Sequence, residues 1–363
     1  MSTATAAATV GALPPRPPAI PDRFPMRHKV LLIDPLYHPG GEAHLREHAE
    51  VELLLSPDRA AVLAAACGAH GICGRYPNKV DAEVIAAAED LLVICSSGRG
   101  TDAIDIAAAT DRGVAVVNNP GFGKVPVSEH ALFMMMSLSR HGFEHDAMTR
   151  SGSGWSDRLG AGNTIRDLEG STLGIVGLGQ IGREMARKCQ GAFSMAVLAY
   201  DPYVDRATMD ELGVEKVERL EHLLGRADYV SVHAELNDGS HHLFDDAAFA
   251  AMQPHACLIN TARGRIVSQD ALHRALSDRR IRAAALDVFE VEPVGPDNPL
   301  CKLDNILLSP HVGGLTAGFM KESAATVART MLGVFRGERP ENIRNPEAWE
   351  RTKQRAMRIL AAG

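Results

Sequence analysis

Three side chains capable of ion-pairing and acid–base chemistry follow short apolar runs late in the chain. Arg263 lies in Asn260-Thr261-Ala262-Arg263-Gly264-Arg265, Glu292 in Asp287-Val288-Phe289-Glu290-Val291-Glu292-Pro293, and His311 in Ser309-Pro310-His311-Val312-Gly313-Gly314. An arginine holds a carboxylate through paired N–H donors and polarises a neighbouring carbonyl. A histidine moves a proton near neutral pH, and a carboxylate bonded to its ring favours the charged form and fixes its orientation. Singly, each has an ordinary alternative, the histidine as a hydrogen-bonded structural residue and the arginine as a surface ion-pair member. Their appearance after successive strands of one sheet favours a joint role, because ligands of doubly wound folds bind at strand ends.

A second motif lies upstream, where Thr172-Leu173-Gly174-Ile175-Val176 runs into Gly177-Leu178-Gly179-Gln180-Ile181-Gly182 and then a helix expected over 183–189. A glycine fingerprint between strand and helix has a physical reading. The first glycine allows the tight turn, the second lets a pyrophosphate approach the backbone, and the third lets helix pack on strand. The helix N-terminus then offers N–H groups to the phosphates. The next strand ends at Asp201, nineteen positions after Gly182. Its carboxylate suits the two hydroxyls of an adenosine ribose and repels a 2′-phosphate, and Pro202-Tyr203 bring no cation. The cofactor expected is NAD. Hydride transfer to a 2-oxo acid needs a cation for the carboxylate and an acid for the nascent alkoxide, roles that arginine and histidine suit.

These groups must be carried by regular elements. From Lys29, apolar runs at 30–33, 71–73, 91–95 and 114–117 alternate with helix-like stretches, as buried parallel strands do. Asp81 is expected to cap a helix over 82–88, and Asp102 one over 103–109. A second series begins at Thr172, with six strands expected at 173–176, 196–200, 229–233, 257–260, 283–288 and 306–308. Between the series, 126–140 reads as an apolar helix. The polar, Gly-rich segment 141–163 reads as a subunit-contacting arm or a mobile loop.

With 363 residues, 45% of them hydrophobic, the chain is long enough for two cores. A net charge of −7 without a basic stripe argues against nucleic acid. Six scattered cysteines suit reduced thiols in the cytoplasm better than a disulfide framework or zinc site, and no metal is assigned. Residues 1–26, rich in Ala, Thr and Pro, read as a flexible tail without a signal sequence. No apolar run is long enough for a membrane span.

These motifs, with Gly98-Arg99-Gly100-Thr101-Asp102-Ala103-Ile104-Asp105 and Val127-Ser128-Glu129, resemble the D-isomer-specific 2-hydroxyacid dehydrogenase family from about Lys29 to Asn345. The resemblance implies an α/β fold of two doubly wound domains, with the active site in the cleft between them. A flavodoxin-like substrate domain would span 27–125 and 316–363, and a Rossmann NAD-binding domain 126–315. It implies that Arg263 binds the substrate carboxylate, that His311 is the acid/base and that Glu292 is its partner. Gly98, Arg99 and Gly100 would face the substrate. Gly177, Gly179, Gln180, Ile181, Gly182, Asp201, His233, Thr261, Ala262 and Asp287 would border the cofactor. A homodimer through 126–163 is also implied, and no appended regulatory domain is expected after Gly363.

Two departures stand out. His233-Ala234-Glu235-Leu236-Asn237 replaces the family's usual His-x-Pro-Leu-Thr, and Arg99 stands where many relatives carry an apolar residue. Formate dehydrogenases of this fold fit poorly because they carry Gln at the Glu292 position. A phosphite-type dehydrogenase and an NAD(H)-binding corepressor scaffold remain as alternatives.

Overall fold

The computed structural model describes residues 27–119 and 121–362; the tail expected over 1–26 lies outside them. Strands β1 (Lys29–Leu32), β2 (Glu50–Leu53), β3 (Gly71–Gly74), β4 (Val93–Ser96) and β5 (Ala115–Val117) form a parallel sheet in the order β2-β1-β3-β4-β5. Between them run α1 (Pro39–His48), α2 (Arg59–Ala66), α3 (Ala82–Ala87) and α4 (Ile106–Asp111). This is the flavodoxin-like strand order. A two-helix return completes its core: α13 (Ala317–Phe335) buries Val327, Met331 and Phe335, and α14 (Trp349–Ala362) buries Trp349 and Ala356, beside Leu32 and Val93. Asn345 ties the return down, its amide bonding Val116 N and Val114 O at 2.8 and 2.9 Å.

The second sheet has seven parallel strands in the order β12-β11-β10-β9-β6-β7-β8. These are β6 (Thr172–Val176), β7 (Ala196–Tyr200), β8 (Glu215–Lys216), β9 (Tyr229–Val232), β10 (Cys257–Asn260), β11 (Ala283–Leu286) and β12 (Ile306–Leu308). The first six keep the Rossmann order, and the crevice lies where β6 and β9 lead to opposite sides. Helices α8 (Gln180–Phe193), α9 (Arg206–Glu211), α10 (Leu220–Leu224), α11 (Asp246–Ala251) and α12 (Gln269–Ser277) cover its faces. Helix α8 buries Gly182, Met185, Ala186 and Cys189, the i, i+3, i+4, i+7 spacing of one apolar face.

Between the sheets lie α5 (Lys124–Arg140), α6 (Gly142–Ser151) and α7 (Gly154–Gly162). The segment expected to be an arm or loop is therefore largely helical. Helix α6 buries no residue, so it lacks the apolar stripe that makes a helix visible in a sequence. Strands β2 and β8 were also not expected; both are sheet edges, half-exposed and short of alternation. Asp81 caps α3 as expected, but Asp102 caps nothing. Helix α4 starts at Ile106, capped by Asp105 accepting from Ala108 N at 2.9 Å. Residues 101–104 form a turn instead, closed by Ile104 N on Thr101 O.

Four cysteines are buried and two exposed, all six free. Burial pushes the Cys73 and Cys189 thiols up to about 12, so they behave as small apolar side chains. Among the described residues, no helix is long and apolar enough to cross a membrane.

Candidate active site

The glycine loop joins β6 to α8. Gly177 sits at φ 93°, and a Cβ there would come within 2.5 Å of Ala234 N. A Cβ on Gly182 would lie 2.3 Å from Gly177 O, so helix and loop meet only without side chains. A Cβ on Gly179 would meet nothing within 4 Å. Its outer side is open, where a pyrophosphate needs access to the backbone. Gln180 and Ile181 open the helix beyond it. Asp201 at the end of β7 accepts from Leu178 N and Tyr203 N, both at 2.8 Å. The carboxylate thus fixes the loop while keeping lone pairs for further donors.

Two polar atoms beside this loop are buried without a protein partner, His233 Nδ1 after β9 and Thr261 Oγ1 after β10. A bound ligand can satisfy orphaned groups of this kind. Burial pushes the His233 imidazole down to about 4, so the ring is neutral, and its Nε2 lies 2.9 Å from Ser231 Oγ. Open glycine loop, anchored Asp201 and two unsatisfied atoms at successive strand ends fit a bound dinucleotide.

Beyond β10, Asn260 shapes the catalytic loop by accepting from Ala262 N at 3.0 Å and donating to Arg263 O at 2.9 Å. The Arg263 guanidinium donates from Nε to Asp102 Oδ1 at 2.9 Å and from Nη1 to Ala262 O at 2.7 Å. Asp102 belongs to the other domain, so the pair spans the cleft. A Cβ on Gly100 would overlap Arg263 Nη2, which places the 98–100 loop directly on the guanidinium. All three carbonyls of that loop are occupied: Gly98 O by Asn119 N, Arg99 O by Asn118 Nδ2 and Gly100 O by Ser96 Oγ, at 2.9, 2.7 and 2.6 Å. Among the described residues, the Arg99 and Gly100 N–H groups have no protein acceptor. The Arg99 side chain reaches across to Gln180 Oε1 at 3.2 Å.

His311 and Glu292 meet at 2.7 Å between Nδ1 and Oε2. The other Glu292 oxygen accepts from Phe289 N at 2.9 Å. Phe289 also touches the arginine loop, since a Cβ on Gly264 would fall inside its backbone. The loop of Arg263 after β10 and the loop of Glu292 after β11 are therefore packed together at one edge of the sheet. His311 itself is left-handed, at φ 54°, a conformation a non-glycine residue holds only when its surroundings enforce it. The enforcement comes from Asp287, only 2% exposed. Its carbonyl accepts from His311 N at 2.7 Å, and its carboxylate from Ser309 Oγ, Val312 N and Gly313 N at 2.5, 2.9 and 2.8 Å. His130 of α5 completes the cluster, its Nε2 2.9 Å from Ser309 Oγ. Burial works against the Asp287 charge, but His130, Ser309 and the two backbone N–H groups together hold its carboxyl below the usual value.

Asp287, expected beside the nicotinamide, has its carboxylate in the turn that presents His311. Asp102, expected only as a helix cap, and His130 and Ser309 were not given a role in the site. Asp102 had a signal, an acid in the loop that carries Gly98 and Gly100, but the same acid reads equally well as a helix cap. His130 and Ser309 had none, because their meeting depends on how α5 crosses the sheet.

Comparison with known proteins agrees with this architecture. Residues 132–313 match the family model described as D-isomer specific 2-hydroxyacid dehydrogenase, NAD binding domain. A D-3-phosphoglycerate dehydrogenase of Methanocaldococcus jannaschii is 37% identical over 317 residues, 87% of this chain and 59% of that protein. A glyoxylate reductase of Korarchaeum cryptofilum is 36% identical over 313 residues, 85% of this chain and 93% of that one. The chain thus spans under two thirds of the phosphoglycerate relative and nearly the whole of the glyoxylate one. Among solved structures, holo D-mandelate dehydrogenase of Rhodotorula graminis superposes with a TM-score of 0.79 at 29% identity, covering 87% of this chain and 97% of that one. The chain, with its two parallel sheets and its NAD-binding fingerprint, belongs to the D-isomer specific 2-hydroxyacid dehydrogenase family.

Proposed function

We propose that this protein catalyses reversible NAD-dependent hydride transfer between the nicotinamide and a small D-2-hydroxy acid or 2-oxo acid. The observation that carries this reading is the 2.7 Å His311–Glu292 pair at the same edge of the sheet as Arg263. NADH, held by the 177–182 loop, Asp201, His233, Thr261 and Ala262, would supply the hydride. Arg263 and the unpaired N–H groups of Arg99 and Gly100 hold the substrate carboxylate. His311 Nε2, on the ring edge opposite Glu292, gives its proton to the oxygen that becomes the hydroxyl. In the reverse direction the neutral ring removes that proton. Glu292, 2.7 Å from Nδ1, keeps the ring from turning.

Arg99 supports a narrower substrate class. Its guanidinium, 3.2 Å from Gln180 Oε1, is carried by the 98–100 loop beside Arg263, and we assign to it the selection of 2-oxo acids with a second anionic group. The exposed apolar side chains Phe133, Phe143, Trp155 and Leu159 on α5 to α7 suit a second copy of the chain, so we assign a homodimer through 126–163. Six free thiols suit a reducing compartment such as the cytoplasm. The test is loss of NADH absorbance with a panel of 2-oxo acids. Turnover at an enzyme-like rate supports the reading; tight NADH binding without turnover of any of them rejects it in favour of a scaffold.

A further inference from the structure

The chain contains the pattern His-x-x-Glu-His twice, as His44-Leu45-Arg46-Glu47-His48 and as His141-Gly142-Phe143-Glu144-His145. On a helix, positions i, i+3 and i+4 share one face. The first copy lies wholly within α1, and one donor atom from each of His44, Glu47 and His48 lies within 4.8 Å of the others. Among the described residues, this is the one group of three His, Cys, Asp or Glu side chains that converges so closely.

The second copy shows what convergence requires. His141 sits outside the helix, at φ 49° in the junction between α5 and α6. Its Nδ1 is 3.7 Å from Glu144, and its ring centroid is 6.1 Å from that of His145, against 4.9 Å between the His44 and His48 rings. The copies also sit at opposite helix ends. His44, Glu47 and His48 occupy the C-terminal turns of α1, where unpaired carbonyls favour a cation, whereas the other set opens α6, where N–H groups disfavour one.

His48 is oriented as a metal-binding imidazole is. His48 Nδ1 lies 3.1 Å from the His44 carbonyl oxygen. A carbonyl only accepts, so in the neutral ring Nδ1 carries the hydrogen and Nε2 keeps its lone pair. A ring N–H donated to a backbone carbonyl, with the other nitrogen free, is the usual outer support of a metal-binding histidine. His44 Nδ1 is held in turn at 3.3 Å from Glu47 Oε2.

We propose that His44, Glu47 and His48 form a divalent cation site of the zinc class, outside the catalytic cleft. Two imidazoles and one carboxylate select zinc, copper or nickel over calcium and magnesium, and water completes the coordination. Bound metal would clamp the last two turns of α1. That helix packs on α13 so closely that a Cβ on Gly41 would strike Ala324 O, and the clamp would therefore stabilise the substrate domain.

The test uses the full-length chain, stripped with chelator, desalted and titrated with zinc chloride by calorimetry and by thermal melting. One equivalent should bind with a saturable rise in Tm. H44Q and H48Q should each weaken zinc binding at least tenfold, while H145Q leaves it unchanged. Cobalt substitution gives an independent readout, its visible absorption requiring His48 even in a variant that melts early. The proposal is overturned if zinc leaves Tm unchanged, or if binding survives H48Q. It is equally overturned if binding disappears with H145Q or H311Q, which would place the metal at the second motif or at the catalytic histidine.

Discussion

Arg263 Nε donates to Asp102 Oδ1 at 2.9 Å, so the cation that faces the cleft is held by an acid from the opposite domain. Asp102 orients the guanidinium through this ion pair. D102A should lower kcat/KM for a 2-oxo acid by about one to two decades, the value of a charge-assisted contact of roughly 1.5–3 kcal/mol. Most of the loss should fall in KM, and D102N, which keeps an acceptor, should recover part of it. A D102A enzyme within twofold of wild type would show that the pair has no positioning role.

His311 and Glu292 should act as one unit. Reduction uses the charged ring and oxidation the neutral one, so reduction should weaken as pH rises and oxidation as pH falls. With the 2.7 Å carboxylate contact removed in E292Q, the ring loses the partner that orients it, and kcat should fall in both directions. H311A should cost about 10²–10⁴ in kcat. Near-normal turnover of H311A in stopped-flow assays would assign the proton to another group.

Asp201 should set the NAD(H) preference, because its carboxylate repels a 2′-phosphate. D201A should narrow the ratio of kcat/KM for NADH over NADPH by roughly tenfold or more. Asp201 also receives Leu178 N and Tyr203 N, so part of the affinity for NADH should fall with it. Equal or better efficiency of the unmodified protein with NADPH would contradict the assignment.

R99A should reduce efficiency on a dianionic 2-oxo acid by about one to two decades and leave glyoxylate or pyruvate nearly unchanged. Arg99 touches Gln180 of the glycine loop, which makes the opposite result informative. An equal loss on both substrate classes, with weaker NADH binding by fluorescence, would move the side chain from substrate selection to the cofactor.

Asp287 should matter for stability as well as catalysis. Its carboxyl lies below the ordinary 3.8 in the folded protein, so its contribution is present above that value and is lost as pH falls through the lowered one. D287A leaves several buried donors unpaired, at about 1–3 kcal/mol each. Urea unfolding should show the loss at pH 7, together with a flatter acid limb than wild type. Unchanged stability at pH 7 would mean that the turn around His311 is held elsewhere.

The chain itself determined the parts that depend on neighbours in sequence. Gly177, Gly179 and Gly182 act within one strand–turn–helix unit, so their spacing already carries their geometry. Arg263 and Glu292 follow buried apolar runs and His311 a half-buried one, and parallel strands bring such positions to one edge of the sheet. Tertiary structure decided everything that depends on which elements cross. Asp102 and Asp105 are equally good helix caps in sequence, and only the approach of the Arg263 loop gives Asp102 another partner. The left-handed turn of His311 exists because Asp287 lies beneath it, and His130 joins that cluster because α5 crosses beside β11. Helix α6, with no buried face, and edge strands β2 and β8 lack the periodic apolar pattern that burial imposes, so they become visible only once the sheets and the neighbouring helices are in place.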